Sequence, residues 1–156
     1  GPDRRRGRAM AAARRPAELQ ADIVAAGAAL RALPATAGRR LGTVGYCLGG
    51  RLACLTAAQA GIDAAVAYYG GGIHDQLARL ADIRAALQFH YAEHDDHIPP
   101  EAVERVRAAV AGRDAQLHVY AGAAHGFNCW ARTSYHPPSA TLAFARSLGF
   151  LAERLI

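Results

Sequence analysis

Along the chain, short apolar runs alternate with longer stretches whose apolar residues recur every three or four positions. From Pro16 to Leu33 those positions are Leu19, Ile23, Ala26, Leu30 and Leu33, the spacing of one helical face. Pro16 suits a first helical turn, and Pro34 stops the helix. Leu41–Tyr46 reads as a strand, followed at once by a helix over Leu48–Ala60 with Gly61 as its C-cap. Ala64–Tyr69 is a short buried strand closed by Gly70-Gly71-Gly72. Residues 75–84 hold a short helix, and Ala85–Tyr91 is the next strand. Pro99 or Pro100 opens a helix to about Ala111, with Val103, Val106 and Val110 on one face. In Ala115–Tyr120, Leu117 and Val119 alternate with Gln116 and His118, the period of a strand. Pro138–Ile156 is a final amphipathic helix carrying Leu142, Ala145, Leu148, Leu151 and Leu155. Strand and helix alternate throughout, which predicts a parallel α/β sheet.

Composition adds bounds. A chain of 156 residues, 52% hydrophobic and 20% charged, suits a single globular domain. Residues 16–156 are expected to form it. Residues 1–15 carry no period and are expected to be a basic, poorly ordered end. No apolar run approaches the roughly 20 residues needed to span a bilayer. No apolar segment follows the early arginines, so no secretory signal is read. The three cysteines are far apart and form no C-x-x-C pair, which fits neither a disulfide framework nor a zinc knuckle. A reducing, cytoplasmic setting is expected. The net charge of +5 comes from the first 40 residues, where nine Arg face Asp3, Glu18 and Asp22. Every basic residue is Arg, which with the abundant Ala reads as a coding bias. The Arg4–Arg8 cluster is read as a solvated end. No basic face interleaved with aromatics follows it, so neither nucleic acid nor membrane is expected as a partner.

The candidate chemistry begins at Gly45-Tyr46-Cys47-Leu48-Gly49, the G-x-S-x-G nucleophile elbow with cysteine for serine. A side chain on a sharp strand-to-helix turn needs small neighbours two positions before and after it, hence Gly45 and Gly49. The helix that follows aims its N-terminus at the sulfur and favours a thiolate. The N–H of Leu48 is a natural oxyanion donor. Functional residues of open α/β sheets gather beyond the carboxyl ends of strands. There stand Cys47, then Asp95 and Asp96, then His125, in the chain order of the α/β-hydrolase triad. In that arrangement the imidazole takes the thiol proton and the acid fixes its tautomer. His90, His94 and His97 resemble a metal cluster, but they lie on a strand running into a loop, so no metal is expected. Cys54 is read as core, and Cys129 as packing at the edge of the site.

These residues resemble the dienelactone hydrolase family. The likeness runs from about Leu19 to Ile156, through GYCLGGRLA, AYYGGGIH, HYAEHDDHIPPEAVERVRAA and YAGAAHGFNCWARTSY. It implies a three-layer α/β-hydrolase-like parallel sheet, of which this chain would be the C-terminal half to two-thirds. It further implies a hydrolase for an activated lactone or ester, working through Cys47, His125 and an acid without metal or cofactor. Family members include carboxymethylenebutenolidases. Ala92-Glu93-His94-Asp95 lines up with the family's G-x-x-D, which points to Asp95, with Asp96 as fallback. Tyr46, Tyr69, Phe127 and Arg132 are candidate substrate contacts. Two departures matter. A family arginine that holds a substrate carboxylate is replaced by Cys129, with Arg132 the nearest substitute. The family's first strands, second oxyanion donor and assisting glutamate precede the matched region and have no counterpart here. The start is expected to be a processing edge or a cut through a larger protein. Leu41–Tyr46 is then expected to form an exposed apolar edge inviting self-association. A general carboxylesterase or thioesterase, or a non-catalytic fragment, are the alternatives.

Overall fold

The computed structural model describes residues 2–59 and 61–156. Four parallel strands form one sheet in the order of the chain: β1 (Gly42–Tyr46), β2 (Ala64–Tyr68), β3 (Ala86–His94) and β4 (Ala115–Ala124). The helices are α1 (Pro2–Ala12), α2 (Pro16–Ala32), α3 (Leu48–Leu55), α4 (Leu77–Leu80), α5 (Pro100–Ala109) and α6 (Pro137–Leu155). Short 3-10 turns occupy Pro34–Thr36 and Ile73–Asp75.

The burial of each strand follows its place. β2 is buried at every position, as a strand covered on both faces must be. Its residues Ala64-Ala65-Val66-Ala67-Tyr68 are accordingly apolar without alternation. β1 lies at the sheet's border, and Val44 and Tyr46 are nearly half exposed. α6 covers the face that carries Tyr68, Gln88 and His90. Its Ser147 bonds the Tyr68 hydroxyl at 2.8 Å and His90 Nε2 at 3.0 Å. α3 covers the opposite face, where Gly45 meets it. The result is helix, sheet and helix in three layers, the architecture expected from the sequence.

Several elements differ from expectation, among them the helix expected over residues 75–84, which is confined to Leu77–Leu80. α3 stops at Leu55, because the Thr56 hydroxyl bonds back to the Leu52 carbonyl and the chain turns; the expected end at Ala60 lies outside the described residues. β3 and β4 run on to His94 and Ala124 through polar and glycine positions, joined by a ladder with an irregularity between Ala92 and His94. The basic first segment is helical over Pro2–Ala12, and almost all its described side chains are exposed. Arg and Ala have high helix propensity, so the segment can coil without an apolar stripe.

Candidate active site

Cys47 sits between β1 and α3 with φ 56° and ψ −116°, a left-handed backbone that is strained for any residue with a Cβ. The chain holds it there by close packing. A Cβ on Gly45 would lie 2.0 Å from the Gly49 carbonyl oxygen, and one on Gly50 would lie 2.6 Å from that of Tyr68. Gly49 itself faces open space. The second position that must be small is thus Gly50, not Gly49, because α3 turns Gly50 toward β2. The N–H of Cys47 donates to the Tyr68 carbonyl at 2.9 Å, tying the elbow to the end of β2.

The register of β3 and β4 assembles the other half. His94 pairs with Ala124, so the next residues, Asp95 and His125, emerge side by side. His125 Nδ1 lies 2.8 Å from Asp95 Oδ2 and 3.1 Å from Oδ1. The Asp95 carboxylate is fully buried and also accepts the backbone N–H groups of His97 (2.9 Å) and Ile98 (3.1 Å). Asp96 is exposed and makes no such contact with the imidazole. On the other side of the ring, His125 Nε2 stands 3.2 Å from Cys47 Sγ. The loop bearing His125 is fastened by Ser134, whose hydroxyl donates to the His125 carbonyl at 2.9 Å.

The electrostatics follow from these contacts. The hydrogen bond to His125 holds the Cys47 thiol below the ordinary thiol range, with burial opposing and the Leu48 N–H and Arg132 helping. For His125, burial disfavours the charged ring, but the bonds to Asp95 and then Cys47 outweigh it and carry the imidazole up to about 9. A thiolate beside an imidazolium is the form this geometry favours. Cys54, fully buried in the core, is pushed up to about 12 by burial and is inert.

A cavity of about 340 Å³ opens beside the sulfur, lined by Tyr46, Tyr69, Asn128, Cys129, Trp130 and Arg132. Tyr69 has φ 37°, and its ring centre lies 5.1 Å from that of His125. Cys129 lines the cavity instead of serving packing alone. Phe127, expected as a substrate contact, is fully buried. Its ring packs 5.4 Å from Tyr69 and 5.0 Å from Tyr120, so it supports the cavity from below and presents nothing to a ligand. Asn128 and Trp130 were not singled out from the sequence, although both lie within five residues of His125.

The three histidines that resemble a metal cluster do not converge. Both ring nitrogens of His90 are used inside the sheet, at 2.7 Å from the Tyr120 hydroxyl and at 2.9 Å from Gln88 Oε1. Burial lowers His90 to about 3, leaving it neutral. Among the described residues, no three His, Cys, Asp or Glu side chains gather closely enough to hold a metal ion.

A parallel sheet with a strained cysteine at the strand-to-helix turn, and an imidazole and carboxylate at the ends of later strands, defines an α/β-hydrolase-type fold. The chain belongs to the dienelactone hydrolase family, whose family model matches residues 2–155. It is 36% identical over 114 residues to a carboxymethylenebutenolidase of Pseudomonas putida, covering 72% of this chain and 48% of that one. Carboxymethylenebutenolidase 1 of Cupriavidus pinatubonensis is 32% identical over 123 residues, covering 78% of this chain and 52% of that one. The chain thus spans about half the length of these curated relatives. A solved structure from Klebsiella pneumoniae, 32% identical, superposes with a TM-score of 0.73 over 85% of this chain and 61% of that one. The dienelactone hydrolase of Anabaena variabilis, 17% identical, shares the fold with a TM-score of 0.70, covering 88% of this chain and 60% of that one. The family and its carboxymethylenebutenolidase relatives make this a hydrolase-family chain. No described helix is long and apolar enough to cross a membrane.

Proposed function

We propose that the chain hydrolyses an activated lactone or carboxylic ester through Cys47, His125 and Asp95. The observation that carries this reading is the continuous hydrogen-bonded line from Cys47 Sγ to His125 Nε2 at 3.2 Å, and from His125 Nδ1 to Asp95 at 2.8 Å. The Cys47 thiolate attacks the carbonyl carbon, and the Leu48 N–H receives the developing oxyanion. The imidazolium gives its proton to the leaving oxygen. In a lactone that oxygen stays tethered to the acyl chain. His125 then takes a proton from water, which attacks the thioester and frees the carboxylate and Cys47. Asp95 holds the ring tautomer and balances its charge throughout.

Arg132 in the cavity wall is the candidate for a substrate carboxylate, and Tyr46 and Tyr69 for its apolar body. A neutral ester or thioester is the second reading, favoured by the three aromatic rings of Tyr46, Tyr69 and Trp130 around the cavity. All three cysteines are free thiols, in keeping with a reducing, cytoplasmic setting. The open edge of β1 is proposed to pair with a second copy of the chain.

The test is hydrolysis of an activated aryl ester by this chain and by Cys47→Ala, each taken from a single size-exclusion peak. Turnover by the parent and silence in the variant support the reading. Equal silence overturns it. Carboxylate-bearing lactones set against neutral esters then separate the two substrate classes.

A further inference from the structure

Two cavities border Cys47, and their walls differ. The cavity of about 340 Å³ carries a second cysteine, Cys129, and is not lined by His125. The other, of about 200 Å³, is walled by His97 and His125 and is not lined by Cys129. The Cys47 sulfur thus has a thiol in one neighbouring space and an imidazole in the other. Cys47 and Cys129 are both part-exposed free thiols, whereas Cys54 is buried.

Cys129 is held lightly. Its N–H donates to the Gly126 carbonyl at 2.9 Å, and its carbonyl accepts the Arg132 N–H at 3.0 Å. It therefore lies where two tight turns meet, outside the sheet ladder. Tyr69 lines the same cavity. Burial pushes its phenol up, Arg132 opposes, and charge on Cys129 or Cys47 adds to the rise, so both sulfurs lie within electrostatic reach of one ring. A disulfide needs its two Cα atoms within about 7 Å. Moving the Cys129 turn to that separation breaks no strand pairing.

We propose that Cys47 and Cys129 form a reversible disulfide, driven by a hydroperoxide, that spares the Cys47 sulfur from irreversible oxidation. The Cys47 thiolate attacks the outer oxygen of the hydroperoxide. An S–O bond forms and the O–O bond breaks, with two electrons leaving sulfur. The departing alkoxide takes its proton from the His125 imidazolium, and Cys47 becomes a sulfenic acid. Cys129 gives its proton through water to the now neutral His125, and its thiolate attacks the Cys47 sulfur. The S–S bond forms, the S–O bond breaks, and hydroxide leaves with that proton as water. Displacement at sulfur requires attacker and leaving group on different sides. Cys129 in the first cavity and His125 in the second meet that requirement. Two equivalents of an external thiol restore both cysteines and are themselves oxidised to a disulfide.

The experiment exposes the native chain and Cys129→Ser to a small excess of hydrogen peroxide near neutral pH. Free thiols are then blocked by alkylation. Trypsin, cutting after Arg, puts Cys47 in Leu41–Arg51, Cys54 in Leu52–Arg79 and Cys129 in Asp114–Arg132. Non-reducing mass mapping is expected to find Leu41–Arg51 joined to Asp114–Arg132 within one chain, and dithiothreitol to release both. In Cys129→Ser, Cys47 is expected to yield about ten-fold more sulfinic and sulfonic acid, which dithiothreitol does not reverse. Equal sulfinic and sulfonic yields in the two proteins overturn the inference. So does a link found only between two chains, a link to Cys54, or a Cys47 that peroxide leaves untouched. The readout is mass rather than turnover, so its outcome is independent of the hydrolase reading.

Discussion

A Cβ on Gly45 would stand 2.0 Å from the carbonyl oxygen of Gly49, while a Cβ on Gly49 would meet nothing within 4 Å. The two glycines flanking the cysteine are therefore unequal. Gly45→Ala sets a methyl against backbone that cannot rotate away, and it should destabilise the fold by about 1–3 kcal/mol or more. Gly49→Ala adds a better helix former in the first turn of α3 and should be neutral or stabilising by up to about 1 kcal/mol. Denaturant unfolding of the two variants checks the contrast.

Thiol reactivity tests the thiolate–imidazolium pair without any substrate. Alkylation of Cys47 by a neutral reagent should already be fast near neutral pH, because His125 lowers the thiol. His125→Ala should slow it by about ten-fold at pH 7, since a free thiol there is mostly protonated. Cys54 should stay unmodified in the folded chain, because it is fully buried. Peptide mass mapping reads all three cysteines.

Proton linkage gives a second pH signature. His125 is raised from 6.5 to about 9, so the folded chain holds that proton more tightly than the unfolded one. The stability this supplies is fully present below 6.5 and is lost as pH rises through about 9. Turnover that needs the imidazolium as acid should decline over the same upper range. The Cys47 thiol, lowered by the same hydrogen bond, contributes in the opposite sense, so melting temperatures across that interval should fall more steeply in Cys47→Ala than in the parent, and adding His125→Ala to that variant should flatten the decline.

The two aspartates after β3 should separate cleanly. Asp95 is buried against His125, while Asp96 is exposed. Asp95→Asn should cut kcat by about a hundred- to ten-thousand-fold, because the amide cannot balance the imidazolium. Asp96→Asn should change it by less than about three-fold, as surface changes generally do. Steady-state kinetics on one activated ester are enough to compare them.

The border strand predicts association. β1 pairs with β2 alone among the described strands, and its Val44 is 44% exposed. Light scattering should find the chain as a dimer or larger. Val44→Lys, which puts a charge on that border, should shift it toward monomer. A parent that runs as a monomer would sink the idea.

The pattern of apolar residues made the alternation of strands and helices legible, because each period reflects a face that must be buried. Cys47, Asp95 and His125, whose side chains the fold brings together, stood out by their positions after strands. What the chain hid was set by contacts far apart in sequence. The last residues of β3 and β4, Glu93-His94 and Gly122-Ala123-Ala124, look like loop, and only pairing across the ladder keeps them extended. Gly49 and Gly50 are indistinguishable in sequence, and the direction in which α3 leaves the elbow decides which one touches β2. Phe127 sits two residues from His125, yet its ring turns into the core. Arg51 lies inside the GYCLGGRLA stretch, yet the course of its side chain across the bare backbone of Gly72 was not legible there.

The order of the sheet has a consequence for how the molecule opens. Cys47 hangs from β1, a border strand joined to its neighbour by five register pairs. Asp95 and His125 hang from the longer β3–β4 ladder, with seven. Local opening draws on the least protected backbone first. Amides of β1 should therefore exchange with solvent sooner than those of β3. The sulfur would then part from its imidazole during excursions that leave most of the sheet intact. On warming, the proposed chemistry would fail before the fold does.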